Sequence, residues 1–366
     1  MRQLDARMKK VDEARQNEHR LDDDAGGGER GLRATVSQHL LESVSVSYGI
    51  DGGDSQIDLG GSSNLNVRVG TEEHHVVRAY RLHVTTDRLN EIHRVRHHLA
   101  ASGVPCDGLL RTLDGRPWIE VDGHLVEVEE YVEHDAYMKP WERLTTGLRT
   151  LGATHDALAN LESGVAGRSA RFANYISADH ALEATLRGVT RLRQAHPSET
   201  DLQVAANAEE LARFLSSAEG ELKDDLPPGL AHGDFWDNNV FFRDSKLVFV
   251  TDFDYMGYRP RIDDLALTLY FACIEFLESP VSDRQLERLA DLLRAYDDGT
   301  ARPLSAGERS ALPLAIARQP LWSIGGWVVW LDDEEAARRH AESTVGEVQW
   351  ALALTRDLAR WQAAFA

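Results

Sequence analysis

The spacing of apolar residues changes several times along the chain, and each change predicts an element. Apolar positions recur at Leu32, Val36, Leu40, Leu41 and Val44, the stripe of a helix over residues 32–44. The period then drops to two. Residues 56–59, 65–69 and 76–80 read as three antiparallel strands, with Gly60-Gly61-Ser62-Ser63-Asn64 between the first two. Leu89, Ile92, Val95 and Leu99 return to helical spacing over 87–99, and Val104-Pro105 closes that helix. Residues 109–112 and 117–121 flank an Asp114-Gly115 turn and predict a hairpin; a second turn at Asp122-Gly123 leads into a strand over 125–132.

Beyond Trp141 the pattern becomes mainly helical. Leu144, Leu148, Leu151, His155 and Leu158 share one face, and His155 on that stripe reads as a hydrogen-bonded core histidine. A further helix is expected over 205–215, and Pro227-Pro228 interrupts the chain. Two short apolar runs, Val240 to Phe242 and Leu247 to Val250, are joined by Arg243-Asp244-Ser245-Lys246, so residues 240–252 predict a hairpin. Residues 275–366 look helical and hold Trp322, Trp327, Trp330, Trp350 and Trp361. The class is therefore α+β. Residues 1–30 form a charged extension ending in Gly26-Gly27-Gly28, residues 31–132 a strand-rich lobe with one helix, and residues 133–366 a larger, mainly helical lobe.

Composition narrows the partners. A chain of 366 residues is long enough for two packed lobes. The formal charge of −20 argues against a nucleic-acid surface, which needs a basic face, and mildly favours a cationic substrate. No apolar run approaches the roughly 20 residues that span a bilayer, and the charged start lacks a signal-peptide core, so a cytoplasmic location without membrane contact is expected. Cys106 and Cys273 stand apart and read as buried small hydrophobes. Monomer and homodimer are both compatible with the sequence.

The chemistry concentrates in residues 231–254, AHGDFWDNNVFFRDSKLVFVTDFD. Asp234 and Asn239 precede the predicted hairpin and Asp252 ends it. A hairpin folds its ends together, so two carboxylates and an amide should converge. Such hard oxygens suit Mg²⁺. His232 is expected to anchor the loop by hydrogen bonds. Asp237 reads as a solvated loop residue or a substrate contact, and Asp254 as a second metal contact or a turn cap.

His232-Gly233-Asp234 with Asn239 five positions after the Asp, then Asp252-Phe253-Asp254, resembles the kinase set H-R-D-x-x-x-x-N and D-F-G. With Gly in place of Arg and Asp in place of Gly, it resembles the aminoglycoside phosphotransferase family and its small-molecule kinase relatives. The resemblance spans roughly residues 50–275. It implies a bilobal, protein-kinase-like fold that uses ATP and Mg²⁺. Asp234 would be the catalytic residue, while Asn239 and Asp252 would hold the metal. Gly61, Ser62, Ser63 and Asn64 would cover the phosphates through backbone N–H groups. Arg78 would take the place of the kinase strand Lys, with Arg81 as its competitor, and Glu91 would reach back to it. The backbone of Glu130 and Val132 would hold the adenine. Asp264, in an Asp-Leu-Ala run, would open a helix as its N-cap and fix the catalytic loop.

The activity implied is transfer of the γ-phosphoryl group to a hydroxyl of a small molecule. An aminoglycoside-like or other antibiotic acceptor is expected first, which would make the enzyme a resistance factor. A homoserine- or choline-like amino alcohol is the alternative, and a catalytically silent nucleotide-binding module the second. Asp332-Asp333-Glu334-Glu335 reads as a helix-start charge cluster, or in the sharper reading as a patch for an amine-bearing acceptor.

Overall fold

The computed structural model describes residues 33–51, 55–60, 64–161, 175–194, 196–222, 226–277 and 280–366. The 1–30 extension and Gly61, Ser62 and Ser63 of the expected phosphate loop lie outside them. The chain divides into two compact units. The first comprises residues up to Asn90 together with Asp107–Glu133, and the second Glu91–Cys106 together with His134–Ala366. The grouping of Glu91–Cys106 with the second unit was not legible in the sequence, because the helical stripe runs through residue 90 without a break.

The first unit holds helix α1 (Gln38–Tyr48) and strands β1 (Ile57–Asp58), β2 (Leu65–Val69) and β3 (His75–Ala79). Helix α2 (Thr86–Ala101) begins in this unit and ends in the second. Strands β4 (Ile119–Val121) and β5 (His124–Glu130) complete an antiparallel sheet of order β1-β2-β3-β5-β4. Alternation sets the faces: Leu65, Val67 and Val69 pack with Val77, Val126, Val128 and the α1 residues Leu40, Leu41 and Val44. Helix α1 starts later than its apolar stripe because the Ser37 hydroxyl accepts the Leu40 N–H (3.0 Å) and caps it. Val36 then packs on the core from outside the helix. The 109–121 hairpin differs from expectation as well. Only its neck is tight, with the Thr112 N–H on the Arg116 carbonyl (2.9 Å). Leu109 bridges Glu129 and Ile119 pairs with Val126, so both arms line β5.

The second unit contains β6 (Ala136–Tyr137), α3 (Trp141–Ala159), α4 (Ala178–Leu192), α5 (Glu199–Gly220), β7 (Pro228–Ala231), β8 (Val240–Arg243), β9 (Lys246–Val250) and β10 (Gly257–Pro260). Helices α6 (Arg261–Phe276), α7 (Asp283–Asp297) and α8 (Ala306–Arg318) follow, then a π-helical turn at Ser323–Trp327. Four more helices close the chain: α9 (Val328–Trp330), α10 (Glu334–Ser343), α11 (Val345–Arg356) and α12 (Leu358–Phe365). Strands β6, β8 and β9 form one small sheet, and β7 and β10 another.

Helix α6 carries two side chains, Asp264 and Thr268, that hold the 232–235 loop, so its start must be fixed. Arg261 makes a two-pronged bond to Glu308 (2.7 and 2.9 Å). Glu308 is buried and also completes the capping box of α8 with Ser305. Glu308→Ala removes both jobs and leaves Arg261 with its bonds to the Arg302 and Pro303 carbonyls. Thermal or urea unfolding should show a loss of roughly 2–4 kcal/mol.

Candidate active site

The β8–β9 hairpin turns through Asp244 and Ser245, both at positive φ (49° and 63°). That is the two-residue turn whose twist matches paired strands. Beyond the last strand pair, Val240 with Val250, the ladder continues: the Thr251 N–H donates to the Asn239 carbonyl (2.9 Å). This bond places Asn239 beside the residue that precedes Asp252. Asp252 itself is left-handed (φ 62°, ψ 67°), an uncommon state for a residue with a Cβ.

Asn239 reaches the other way. Its Nδ2 donates to both the Asp234 carboxylate (2.8 Å) and the Asp234 carbonyl (2.9 Å). Burial pushes the Asp234 carboxyl up to about 7, the negative charge of Asp252 adds to the rise, and the Asn239 bond opposes it. Asp234, Asn239 and Asp252 are therefore one electrostatic group. A carboxyl so placed is matched to accepting a proton near neutral pH.

The loop before Asp234 is held from below. Both oxygens of Asp264, on α6, accept backbone N–H groups, from His232 and Gly233 (2.6 Å each). His155 approaches the same carboxylate (3.1 Å) and meets the Tyr296 hydroxyl with its other nitrogen (2.7 Å), so it is a hydrogen-bonded core histidine. Burial would raise Asp264, but the His155 bond and nearby positive charge outweigh it and hold the carboxyl down to about 2. Asp264 lies in the first turn of α6, whose N-cap is Pro260. It fixes the loop, but not as an N-cap; the amides it satisfies are those of His232 and Gly233. Thr268, one turn on, donates to the Phe235 carbonyl (2.6 Å).

His232 is fully buried. Nε2 faces the Thr251 carbonyl (3.1 Å) and Nδ1 faces the Asp234 N–H (3.2 Å). An acceptor opposite Nε2 and a donor opposite Nδ1 assign the neutral Nε2–H tautomer. Burial also lowers its pKa, against the pull of Asp264 and Asp252. His232 is thus a link between Thr251 and Asp234. Gly233 sits at φ 89°, and a Cβ there would lie 2.1 Å from the Tyr255 carbonyl oxygen. No side chain fits, which explains a glycine where kinases carry Arg. Asp237 is buried and accepts the Lys139 N–H (2.6 Å). It is not a solvated loop residue: it ties the loop to the start of α3.

In the first unit, Arg78 on β3 is buried with Glu127 and Glu129 of β5 at 3.9 and 3.8 Å. Glu127 lies directly across the ladder and also accepts the Tyr80 hydroxyl (2.8 Å). These acidic neighbours come from the sheet, and the sequence reading missed them; charged residues at 127 and 129, alternating within an apolar strand, were the signal. Arg81 lies past the end of β3. Glu91 opens the part of α2 that belongs to the second unit. Asn64 is buried, and its side-chain oxygen accepts the Arg81 N–H (3.2 Å), so it braces the sheet. The Glu130 N–H is taken by the Gly108 carbonyl (2.8 Å), and the Tyr131 N–H by His74 (3.0 Å). Val132 follows β5 and is half-buried.

The family pattern APH, a phosphotransferase enzyme family, matches residues 55–304. The chain belongs to this family. It is 26% identical over 312 residues to a homoserine kinase of Xanthobacter autotrophicus, covering 84% of this chain and 87% of that protein. Among solved structures, the fold is similar to a microcompartment-associated aminopropanol kinase (TM-score 0.63, 19% identity, 89% of this chain and 98% of that one). It is also similar to an amicoumacin kinase solved with AMP-PNP and Ca²⁺ (TM-score 0.61, 14% identity, 85% and 93%). This APH-family chain is a small-molecule kinase with the α+β, protein-kinase-like fold. Among the described residues, no helix is long and apolar enough to cross a membrane.

The acidic run near residue 332 is engaged in structure. Asp333 caps α10 by accepting the Ala336 N–H (2.6 Å), Glu334 pairs with Arg191 and Arg338 (3.2 and 3.0 Å), and Glu335 pairs with Arg339 (2.7 Å). These contacts match the helix-start reading.

Two outcomes test this geometry. Gly233→Ala must displace Tyr255 and adopt an unfavourable φ; turnover should fall steeply and unfolding free energy by roughly 1–3 kcal/mol. Asp264 has a depressed pKa, so its stabilising contribution is present above about pH 4 and is lost as pH falls toward 2. That loss is worth about 2 kcal/mol in acid unfolding, and Asp264→Asn should remove it while destabilising the protein at neutral pH.

Proposed function

We propose that this kinase phosphorylates the hydroxyl of a small amino alcohol of the homoserine class, with Asp234 as the general base. One observation carries the site reading: Asp234, Asn239 and Asp252 converge at the open end of one hairpin while His232 and Asp264 fix the loop between them. The acceptor class rests on the homoserine kinase likeness across most of both chains. Pairing of Glu334 with Arg191 and Arg338, and of Glu335 with Arg339, lessens the support the acidic run would lend a polyamine antibiotic.

The chain's residues fit a divalent cation. The Asn239 amide nitrogen is committed to Asp234, so its oxygen is the atom this side chain can offer. Asp252 supplies a carboxylate whose charge already bears on Asp234. Among the described residues, no three His, Cys, Asp or Glu side chains are arranged to hold a metal ion. Mg²⁺ needs only one or two protein carboxylates, with water and phosphate oxygens completing its shell. Bound there, the ion would supply charge neutralisation at the nucleotide phosphates.

In the proposed reaction Asp234 orients the acceptor hydroxyl and takes its proton. The hydroxyl oxygen forms a bond to the γ-phosphorus as the bond to the β-phosphate oxygen breaks, and ADP leaves. Positioning of this kind contributes roughly 10²- to 10⁴-fold. Arg78 is the proposed phosphate-binding cation, held within its sheet by Glu127 and Glu129, with Glu91 as its proposed helix partner. The backbone of Glu130 and Val132 is proposed to hold the nucleobase; with the Glu130 N–H already donated, the Glu130 carbonyl takes the role on that residue. Gly61, Ser62 and Ser63 are the proposed phosphate cover.

The test is Mg²⁺-dependent ATP consumption with homoserine, aminopropanol, choline and a panel of aminoglycosides, using Asp234→Asn and Asp252→Ala as controls. Turnover with an amino alcohol, reduced at least about 10²-fold in both variants, is the expected result. Turnover with aminoglycosides alone would reassign the acceptor to an antibiotic. Parent-like turnover in Asp234→Asn would overturn the site.

A further inference from the structure

Arg259, on β10, is 3% exposed. Its Nη2 donates to the Tyr255 carbonyl (2.8 Å), and its guanidinium lies 4.0 Å from the centre of the Tyr175 ring. Nη2 also stands 3.2 Å from where a Cβ at Gly233 would be, so the guanidinium fills space that a side chain in the catalytic loop would otherwise claim. Tyr175 is anchored in turn, donating its hydroxyl to Asp263 (2.9 Å), which pairs with the buried Arg318. The positive charge of Arg259 acts on Asp234 and Asp264 alike.

Stability alone does not account for this arrangement. Nε of Arg259 is buried without a hydrogen-bond partner among the described residues. A buried cation with an unsatisfied donor costs free energy that a well-packed apolar side chain avoids. What the guanidinium does provide is a link. The carbonyl it holds belongs to the Phe253–Tyr255 turn, which begins right after Asp252. The residue it packs on, Gly233, immediately precedes Asp234. We propose that Arg259 is a positioning residue for phosphoryl transfer: it locks the turn after Asp252 against the loop before Asp234, and so sets the register between the two carboxylates. The inference rests on the reading of Asp234 and Asp252 as the reacting and metal-holding residues.

The test compares Arg259→Met and Arg259→Lys with the parent and with Asp234→Asn in Mg²⁺-dependent ATP consumption. Thermal unfolding and amide hydrogen exchange over residues 252–256 are followed alongside. Met keeps packing without the charge or donors; Lys keeps the charge and an ammonium donor in place of the planar fork. In Arg259→Met, kcat should fall by about tenfold or more while KM for ATP stays within about twofold, since a small misplacement acts on the reacting geometry. Its Tm should hold or rise, exchange over 252–256 should quicken, and Arg259→Lys should recover part of kcat. Parent-like kcat in Arg259→Met overturns the proposal. So does a loss of kcat that follows a fall in Tm and is not recovered by Lys, because that is a purely structural role. Parent-like turnover in Asp234→Asn would instead remove the catalytic reading beneath it, and the proposal with it.

Discussion

One buried carboxylate carries much of the site. Asp264 accepts two consecutive backbone amides, those of His232 and Gly233, at 2.6 Å each. Two adjacent N–H groups point to opposite edges of a regular strand, so for both to meet one carboxylate the chain must leave the strand there. Gly233 makes the turn possible with its positive φ, and the Tyr255 carbonyl fills the place of the missing side chain. The bond from His155 and nearby positive charge hold Asp264 ionised despite its burial. Asp234 is then presented at the end of a loop with little freedom left.

The same clamp explains why Asp234 and Asp264, both buried, shift in opposite directions. Asp264 is surrounded by donors and a histidine. Asp234 has one amide side chain and the charge of Asp252. Donors directed at the charged form win against burial in the first case, and burial with a like charge wins in the second. One carboxylate becomes a fixed structural anion, and the other is poised to exchange a proton. The left-handed Asp252 belongs to this logic: its conformation brings a second carboxylate to Asp234 at the end of a strand that would otherwise run past it.

Much of this was legible in the sequence because it is local. The hairpin, its polar turn and the convergence of its ends follow from apolar spacing and two short motifs, and β2 falls on the residues its alternation marks. What was not legible depends on tertiary packing. Nothing in the chain near Asp264 says that its partners are amides rather than the N-cap of its own helix. Asp237 looks like a solvated loop residue until the start of α3 is placed beside it. The two arms of the 109–121 segment have hairpin spacing, yet β5 offers both a longer edge than they offer each other. Arg259, Thr268 and Tyr175 carry no motif; an arginine in a short strand between the metal-loop residues and α6 was the only hint, and it is as common on surfaces.

Chemistry and acceptor choice are encoded differently in this molecule. The proposed reacting group is drawn from residues 232–264, where Asp234, Asn239 and Asp264 are held by a turn, a ladder bond and buried hydrogen bonds. A substitution there changes geometry that the reaction requires of any acceptor. Beyond residue 275 the chain is helical, and its charged side chains satisfy one another, as the pairs along α10 show. Such a surface can change residue by residue without disturbing the clamp at Asp264. The net charge of −20 is the excess of 60 acidic over 40 basic side chains that pairing leaves over, and by itself it names no acceptor.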